Sequence, residues 1–415
     1  MTGQYPARVG ITQFIGGQYC GRLQDVPYLH YLPLEHASLA RALGEGGYQT
    51  WHVGKWHLGD EAYWPQQHGF DINIGGSYAG SPRTYWSPWR LPNLDDGEPG
   101  RYLSDALTDQ AIALIRQRDP SRPFFMHLSH YAVHTPIQSP PALVAKYQDK
   151  ARARKLDRVQ ALVDGELVPK IFAPGQRPER VRRRLIQSDP AYAAMIENLD
   201  ANIGRVIQTL DDQGIADDTI VVFTSDNGGL ATTESSPTCN LPLAEGKGWN
   251  LEGGTRVCQI VRWPRVVRPG SVCATPTTST DYYPTFLEAA GLPLRPAQHC
   301  DGVSLMPLLC GGQGLGREAI YWHYPHYSNQ GGTPAASMVS GRWKLIEYFE
   351  DGRMELYDLE RDVSETRNLA ADQPDVTRHL RGMLRAWQRD VSAQIPTANP
   401  DWERLRPALP NNAHE

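Results

Sequence analysis

The sequence predicts an α/β protein: a mostly parallel or mixed central sheet with helices on both faces, then a smaller antiparallel sheet with a helix. Three observations carry this. Apolar, β-branched runs end in polar loops, amphipathic helical patterns lie between them, and from about residue 313 the pattern changes to strand, turn, strand. In chain order, "YLSDALTDQAIALIRQR" (102–118) sets Leu103, Leu107, Ile112, Leu114 and Ile115 near one helical face. "RPFFMHLSHYAVHTP" (122–136) reads as a buried strand over Phe124–Leu128, then a loop closed by Pro136. "AYAAMIENLDANIGRVIQTLDDQG" (191–214) repeats apolar residues at helical spacing and stops at Gly214. "TIVVFTSDNGG" (219–229) gives a buried strand, Ile220–Phe223, with a glycine-rich exit, and "TRVCQIVRWP" (255–264) a third buried run. "TDYYPTFLEAAG" (280–291) is a short helix capped by Thr280 or Asp281 and ended by Gly291.

Residues 1–312 form the larger unit and 313–415 the smaller, with "CGGQGLG" (310–316) as the hinge. In the smaller unit, 319–325, 335–349 and 354–362 read as strands, "EDGR" (350–353) as a hairpin turn, and Val376, Leu380, Leu384, Trp387 and Val391 as one helical stripe. Residues 396–415 read as a loosely held tail.

Length and composition suit a large core: 415 residues, 40% hydrophobic and 21% charged. The formal charge of −5 and the lack of any long block of like charge speak against nucleic acid, and Arg180–Arg184 reads as a solvated face. No window approaches 18 uninterrupted apolar residues, and "MTGQYPARVG" is not a signal peptide. Six scattered cysteines form no CxxC pair, which leaves the redox compartment open.

Chemistry concentrates in the loops after the strands, where open α/β sheets bind ligands. Asp226 and Asn227, set by the Gly228–Gly229 turn, offer hard oxygen donors suited to Ca²⁺ or Mg²⁺, although the same residues are common turn formers. His127, His130 and His134 invite a zinc reading, but no HExxH accompanies them and strand alternation separates His127 from His130. His134, before Thr135–Pro136, is the histidine to single out. In "EGKGWNLEGGTRV" (245–257), Lys247 lies between glycines that let the backbone approach a ligand, against the plain alternative of a surface lysine. "GYQTWHVGKWHLGD" (47–60) adds Lys55 and His57. Two lysines converging with a divalent ion would hold an oxyanion, sulfate or phosphate.

"GYQTWHVGKWHLG" resembles the second signature of the formylglycine-dependent sulfatases, and "TSDNGG", "EGKGWNLEGGTRV", "STDYYPTFLEAAG" and "DGVSLMPLL" follow in the family's order. "YWHYPHYSNQGGTP" and "WKLIEYFEDGRMELYDLERDVSETRNLA" resemble the small domain of bacterial arylsulfatase-like enzymes. The resemblance implies an alkaline-phosphatase-like sandwich, hydrolysis of sulfate esters, and a periplasmic or secreted location for a full-length bacterial member. It implies that Asp226 and Asn227 are calcium ligands, that Lys55, His134 and Lys247 bind the sulfate or leaving oxygen, and that His57 supports the nucleophile.

That nucleophile, a formylglycine made from cysteine in C-x-P-x-R, is missing. Cys258, in "CQIVR", has Ile260 where proline is required, and Cys20, in "CGRLQ", fails outright. "MTGQYPARVGIT" resembles the segment just after C-x-P-x-R, so the expectation is an N-terminally incomplete catalytic unit, inactive as it stands. The substrate expected is an aryl or saccharide sulfate. "YWSPWR" (85–90) and the 321–327 loop offer aromatic rings, and His323 and His326 offer a border to the substrate entrance. A phosphoesterase of the same superfamily, or a non-catalytic anion-binding scaffold, are the alternatives. Oligomeric state is not legible.

Overall fold

The structure, a computed structural model, describes residues 1–17, 21–168 and 179–402. The nine helices among them are α1 (Pro6–Val9), α2 (Leu39–Glu45), α3 (Leu103–Gln117), α4 (Pro141–Ala153), α5 (Pro190–Asp212), α6 (Glu252–Thr255), α7 (Tyr282–Ala289), α8 (Met306–Leu309) and α9 (Pro374–Asp390). The larger unit is built on β1 (Gln49–Gly54), flanked in parallel by β2 (Ile72–Ile74) and β3 (Phe124–Ser129) in the order β2-β1-β3. β1 is buried throughout because both of its faces are covered. Trp51 and Val53 face α3 and α5, in cores with Leu107, Ile115, Met195 and Leu210. On the other face, Phe125 of β3 packs on α2 and α7 through Leu39, Leu43 and Leu287. The α/β class and the parallel sheet stand, with helices on both faces.

Several local expectations are corrected. β6 (Val221–Thr224) and β7 (Gln259–Arg262) form an antiparallel pair apart from the parallel sheet, and neither is fully buried. Ile260, read as core, is 63% exposed. The cause is edge position: among the described residues, β3 pairs on one side only, and β6 and β7 pair only with each other. The short helix α7 does start after Asp281, as expected, and the turn before it, Ser279–Asp281, adds a capping box in which Thr278 and Asp281 satisfy each other's backbone N–H groups. Arg180–Arg184 lies in β5 (Glu179–Arg184), which pairs with β4 (Leu162–Val168). Arg183 there is mostly buried, stacks on Trp249 and binds both Glu166 and Glu245, so the run is only partly a solvated face. Cys20, residues 169–178 and most of the expected tail (403–415) lie outside the described residues.

The smaller unit is an antiparallel meander, order β11-β10-β9-β8, of β8 (Ile320–Tyr324), β9 (Ala335–Ser340), β10 (Trp343–Tyr348) and β11 (Met354–Asp358). α9 lays the expected stripe on one face: Leu380, Leu384, Trp387 and Val391 bury against Ala336, Met338, Leu345 and Leu356. Tyr5, beside α1, joins this core, and Arg8 grips Asp301 through two 2.9 Å hydrogen bonds. The opposite face carries Ser337, Lys344 and Ile346 toward residues 250–255.

Candidate active site

Lys55 and His57 sit at the carboxyl end of β1. Gly54 makes that exit tight: at φ 104° it is left-handed, and a Cβ there would stand 2.0 Å from Ser129 O. The Lys55 N–H continues the pairing by donating to Ser129 O at 2.7 Å, and the His57 N–H donates to Ser77 O at 2.9 Å. His57 itself is left-handed (φ 54°), an uncommon conformation for histidine that turns the chain away from the sheet. His134 is held by the loop after β3. Its N–H donates to Tyr131 O, its carbonyl accepts from the Tyr85 hydroxyl, and its Nδ1 lies 3.1 Å from Thr135 O.

Lys247 closes the site. Its Nζ lies 3.0 Å from His134 Nε2, so the ammonium donates to Nε2 while Nδ1–H faces the Thr135 carbonyl. The Lys247 loop is stitched to the Asp226 loop by backbone bonds: Lys247 N–H to Gly229 O at 3.1 Å and Gly228 N–H to Gly254 O at 3.0 Å. The glycines beside Lys247 therefore serve a purpose the sequence did not suggest. A Cβ at Gly246 would stand 2.3 Å from Gly229 O and one at Gly248 2.1 Å from Ser328 Oγ, so they admit protein neighbours rather than a ligand.

Electrostatics joins these groups into one neighbourhood. Burial lowers the pKa of Lys55; the Asp226 carboxylate opposes that shift and the Lys247 ammonium adds to it. Burial, reinforced by Lys55 and Lys247, brings His57 down to about 4. His134 falls to about 4 for the same first reason, with Lys247 next. At neutral pH both imidazoles are uncharged, able to accept or relay a proton beside two lysines. The structure thus gathers Lys55, His57, His134, Lys247 and Asp226. Asn227 donates its Nδ2 to Gly228 O at 2.8 Å, which leaves Oδ1 as its hard donor. Among the described residues no three His, Cys, Asp or Glu side chains group to hold a metal ion.

The two small-unit histidines are both buried and hydrogen-bonded within the protein. His323 is buried in β8, its Nε2 against Gln394 O at 2.9 Å and its Nδ1 against Gln388 Nε2 at 3.4 Å, so packing rather than a substrate border explains it. His326 is fully buried, its Nδ1 2.5 Å from Asp25 Oδ1 and its Nε2 2.8 Å from Thr12 Oγ1. It lies one segment behind the site, since the Ile15 backbone hydrogen-bonds His57. Tyr85 and Trp89, expected to offer rings to a sugar, are buried in the core beside α3. Sequence reasoning missed β1 as a strand, the Arg183–Glu245 pair beside the Lys247 loop, and His52, buried with its Nδ1 3.1 Å from His127 Nδ1.

Fold and site together define an α/β protein that gathers two lysines, two histidines and an aspartate beyond the carboxyl ends of β1 and β3. The chain belongs to the sulfatase family, whose model matches residues 1–292. A second model, "N-sulphoglucosamine sulphohydrolase, C-terminal", matches residues 246–390. The chain is 34% identical over 326 residues to a "Sulfatase" of Formosa agariphila, covering 72% of this chain and 52% of that protein. It is 26% identical over 461 residues to the "Uncharacterized sulfatase YdeN" of Escherichia coli, covering 98% and 73%. The chain thus spans about half of the first relative's length and about three quarters of the second's. Among solved structures it resembles Ps i-CgsB in complex with k-i-k-neocarrahexaose (TM-score 0.71, 24% identity, 98% of this chain and 85% of that one). It also resembles BT4656 in complex with its substrate D-glucosamine-2-N,6-O-disulfate (TM-score 0.69, 21% identity, 95% and 87%). At these identities the two structures show the fold.

Proposed function

We propose that this chain binds the sulfuryl group of sulfate esters, and that it is the catalytic unit of a sulfatase in residues 1–312 with a supporting unit in 313–415. The observation that carries this is the 3.0 Å contact between Lys247 Nζ and His134 Nε2, in one electrostatic neighbourhood with Lys55, His57 and Asp226. Lys55 and Lys247 compensate charge on the sulfuryl oxygens. Neutral His134, already bonded to Lys247, passes a proton toward the leaving oxygen. Neutral His57 orients or deprotonates a hydroxyl on the opposite side. A sulfated saccharide is the substrate class we favour, because two of the similar structures were solved with sulfated sugars or neocarra-oligosaccharide named as ligand.

Asp226 and Asn227 fit a hard divalent cation, Ca²⁺ or alternatively Mg²⁺, as part of a shell, since calcium takes about six to eight oxygens and these residues bring two donors. When bound, such an ion supplies charge compensation at the reacting oxygens. None of the six cysteines stands in C-x-P-x-R, so the sequence as given offers no precursor of formylglycine, and the residues present bind and orient without supplying the attacking oxygen.

Isothermal titration with inorganic sulfate and phosphate, paired with a 4-methylumbelliferyl sulfate assay, tests this reading. Sulfate binding that Lys247→Ala weakens about 10- to 100-fold, the range for a charge-assisted hydrogen bond, is the expected result, with no turnover by the 415-residue chain. Robust sulfate-ester hydrolysis unaffected by Lys247→Ala would overturn the assignment of both site and nucleophile. Preference for phosphate would move the reading to a phosphoesterase.

A further inference from the structure

We infer that the smaller unit sets the position of Lys247 through a buried cluster of Lys344, Glu252 and Glu365, which makes Lys344 a positioning residue for the site. The inference rests on the proposed role of Lys247 and deepens it. Lys344 lies on β10, on the sheet face turned away from α9, with its ammonium fully buried. Its Nζ donates to Glu252 Oε1 at 2.9 Å and lies 3.3 Å from Thr255 Oγ1. Glu365 Oε1 is 3.1 Å away, an ion contact rather than an aligned hydrogen bond, while Glu365 Oε2 accepts the Glu252 N–H at 2.6 Å. Glu365 reaches this place from a left-handed backbone (φ 53°).

Glu252 opens α6, and α6 is the shelf on which both functional loops rest. The Gly253 N–H donates to Ala244 O at 2.8 Å, and Gly254 O accepts from Gly228 N–H. A Cβ at Gly228 would stand 1.6 Å from Gly253 O, so the Asp226–Gly229 loop has no slack against the shelf. Two further ties come from the same unit. Ser337 of β9 donates to Asn250 Oδ1 at 2.9 Å, and Gln330 O accepts from Trp249 Nε1 at 3.0 Å and from Thr232 Oγ1 at 2.7 Å. Lys247 is thus flanked on its C-terminal side by residues 249, 250 and 252, each bonded to the smaller unit. A buried charge cluster is weak as a source of stability, because desolvation offsets much of its attraction, but removing one partner strands the rest. Its geometry, rather than its energy, is what the loops use.

The test is hydrogen exchange by mass spectrometry on the full chain, with inorganic sulfate titrated in parallel. In the wild type, the amides of Gly228, Lys247 and Gly253 are expected to open together with those of β10. Loop amides exchanging 100-fold faster than β10 would overturn the inference without any variant. In Lys344→Met, exchange over 226–231 and 244–256 is expected to rise about 10-fold or more while α9 keeps its protection, and sulfate affinity to fall about 10-fold. Lys344→Met/Glu365→Gln keeps the cluster at its original net charge of −1, carried by Glu252 alone, and serves if the single variant does not fold. Unchanged loop protection, or loss of protection in step across the whole smaller unit, would mean that Lys344 is structural only. If the wild type binds no sulfate, the proposed role of Lys247 fails, while the exchange measurements still decide whether Lys344 holds the loop.

Discussion

Lowering the pH from 7.0 to 5.5 should destabilise this protein far more than its carboxylates can explain. His57, His68, His127, His130, His134 and His323 are each brought down to about 4 from 6.5, in every case chiefly by burial. A histidine held below its free value binds fewer protons folded than unfolded. Its contribution is therefore complete above about pH 6.5 and is lost as the pH falls toward 4. Each such shift removes about 1 kcal/mol between pH 7.0 and 5.5, so the six together remove about 6 kcal/mol if none rehydrates and about 3 if half do. Glu365 works in the opposite sense: raised to about 6, it gains its proton earlier in the fold and returns somewhat under about 1 kcal/mol. The carboxylates with lowered values, Asp109, Asp351 and Asp362 among them, act only below their ordinary range and cannot fill this window. Against a total stability of about 5–15 kcal/mol, the net loss is large. Urea unfolding followed by tryptophan fluorescence at the two pH values measures it. His130 provides the control, since both its ring nitrogens are buried without a partner. His130→Leu should reduce the difference between the two pH values by about 1 kcal/mol. Coincident urea midpoints at pH 7.0 and 5.5 would refute the claim that these imidazoles are held neutral by burial.

Three further outcomes follow from particular contacts. Gly228→Ala should destabilise by about 3 kcal/mol and loosen both functional loops, because the new methyl meets Gly253 O at 1.6 Å; thermal unfolding and loop exchange measure it. Leu384→Ala, at a fully buried position in the core between α9 and the meander, should cost about 2–5 kcal/mol by chemical denaturation and leave sulfate binding in place below the midpoint. Asp226→Ala should weaken calcium binding in a calorimetric titration, and tight binding that survives it would remove Asp226 from the metal shell.

How much of this was legible in the sequence depended on whether a residue's environment was written in its own neighbourhood. The α9 stripe was legible because 3.6-residue spacing is a local property, and Leu380, Leu384, Trp387 and Val391 are buried as the spacing requires. Strand ends at 124–129, 221–224 and 259–262 fell within a few residues of their apolar runs for the same reason. β1 was not legible. "QTWHVG" mixes Thr and His into a strand buried on both faces, and His52 is tolerated because its Nδ1 meets His127 on the neighbouring strand and its Nε2 the Gly54 carbonyl two residues on. Burial of β6 and β7 failed in the other direction, since exposure there is set by which edges are paired, a long-range fact. Arg183 was hidden in a basic run that looks solvated until Glu245 and Glu166 are brought to it. His323 looked functional because aromatic and imidazole groups were dense in its loop, yet that density is what packs β8 against α9.

The candidate site shows why family motifs and physical reading converged on the same side chains by different routes. Burial lowers the pKa of Lys55, and repulsion from Lys247 adds to that shift against the opposing pull of Asp226. Two imidazoles beside them, had they been protonated, would have added to it; burial instead keeps them neutral, so they contribute lone pairs and hydrogen-bond donors without more positive charge. Among the described residues Asp226 is the anion that bears on Lys55, His57 and His134 alike, and a single carboxylate does not neutralise two ammonium groups. In the proposed function, a ligand of opposite charge with several acceptor oxygens would balance the remaining positive charge of this neighbourhood. On the function proposed above, a tetrahedral oxyanion would bring more acceptor oxygens to these groups than the two of a single carboxylate. The scaffold supports this arrangement with backbone rather than side chains. Gly54, Gly228, Gly246 and Gly248 bring main-chain segments closer than a Cβ would allow, so the charged groups project from loops braced against β3, α6 and the 328–332 segment. A site whose occupant balances its charge needs such bracing, because without it the lysines would relax apart and the preference for an anion would be lost.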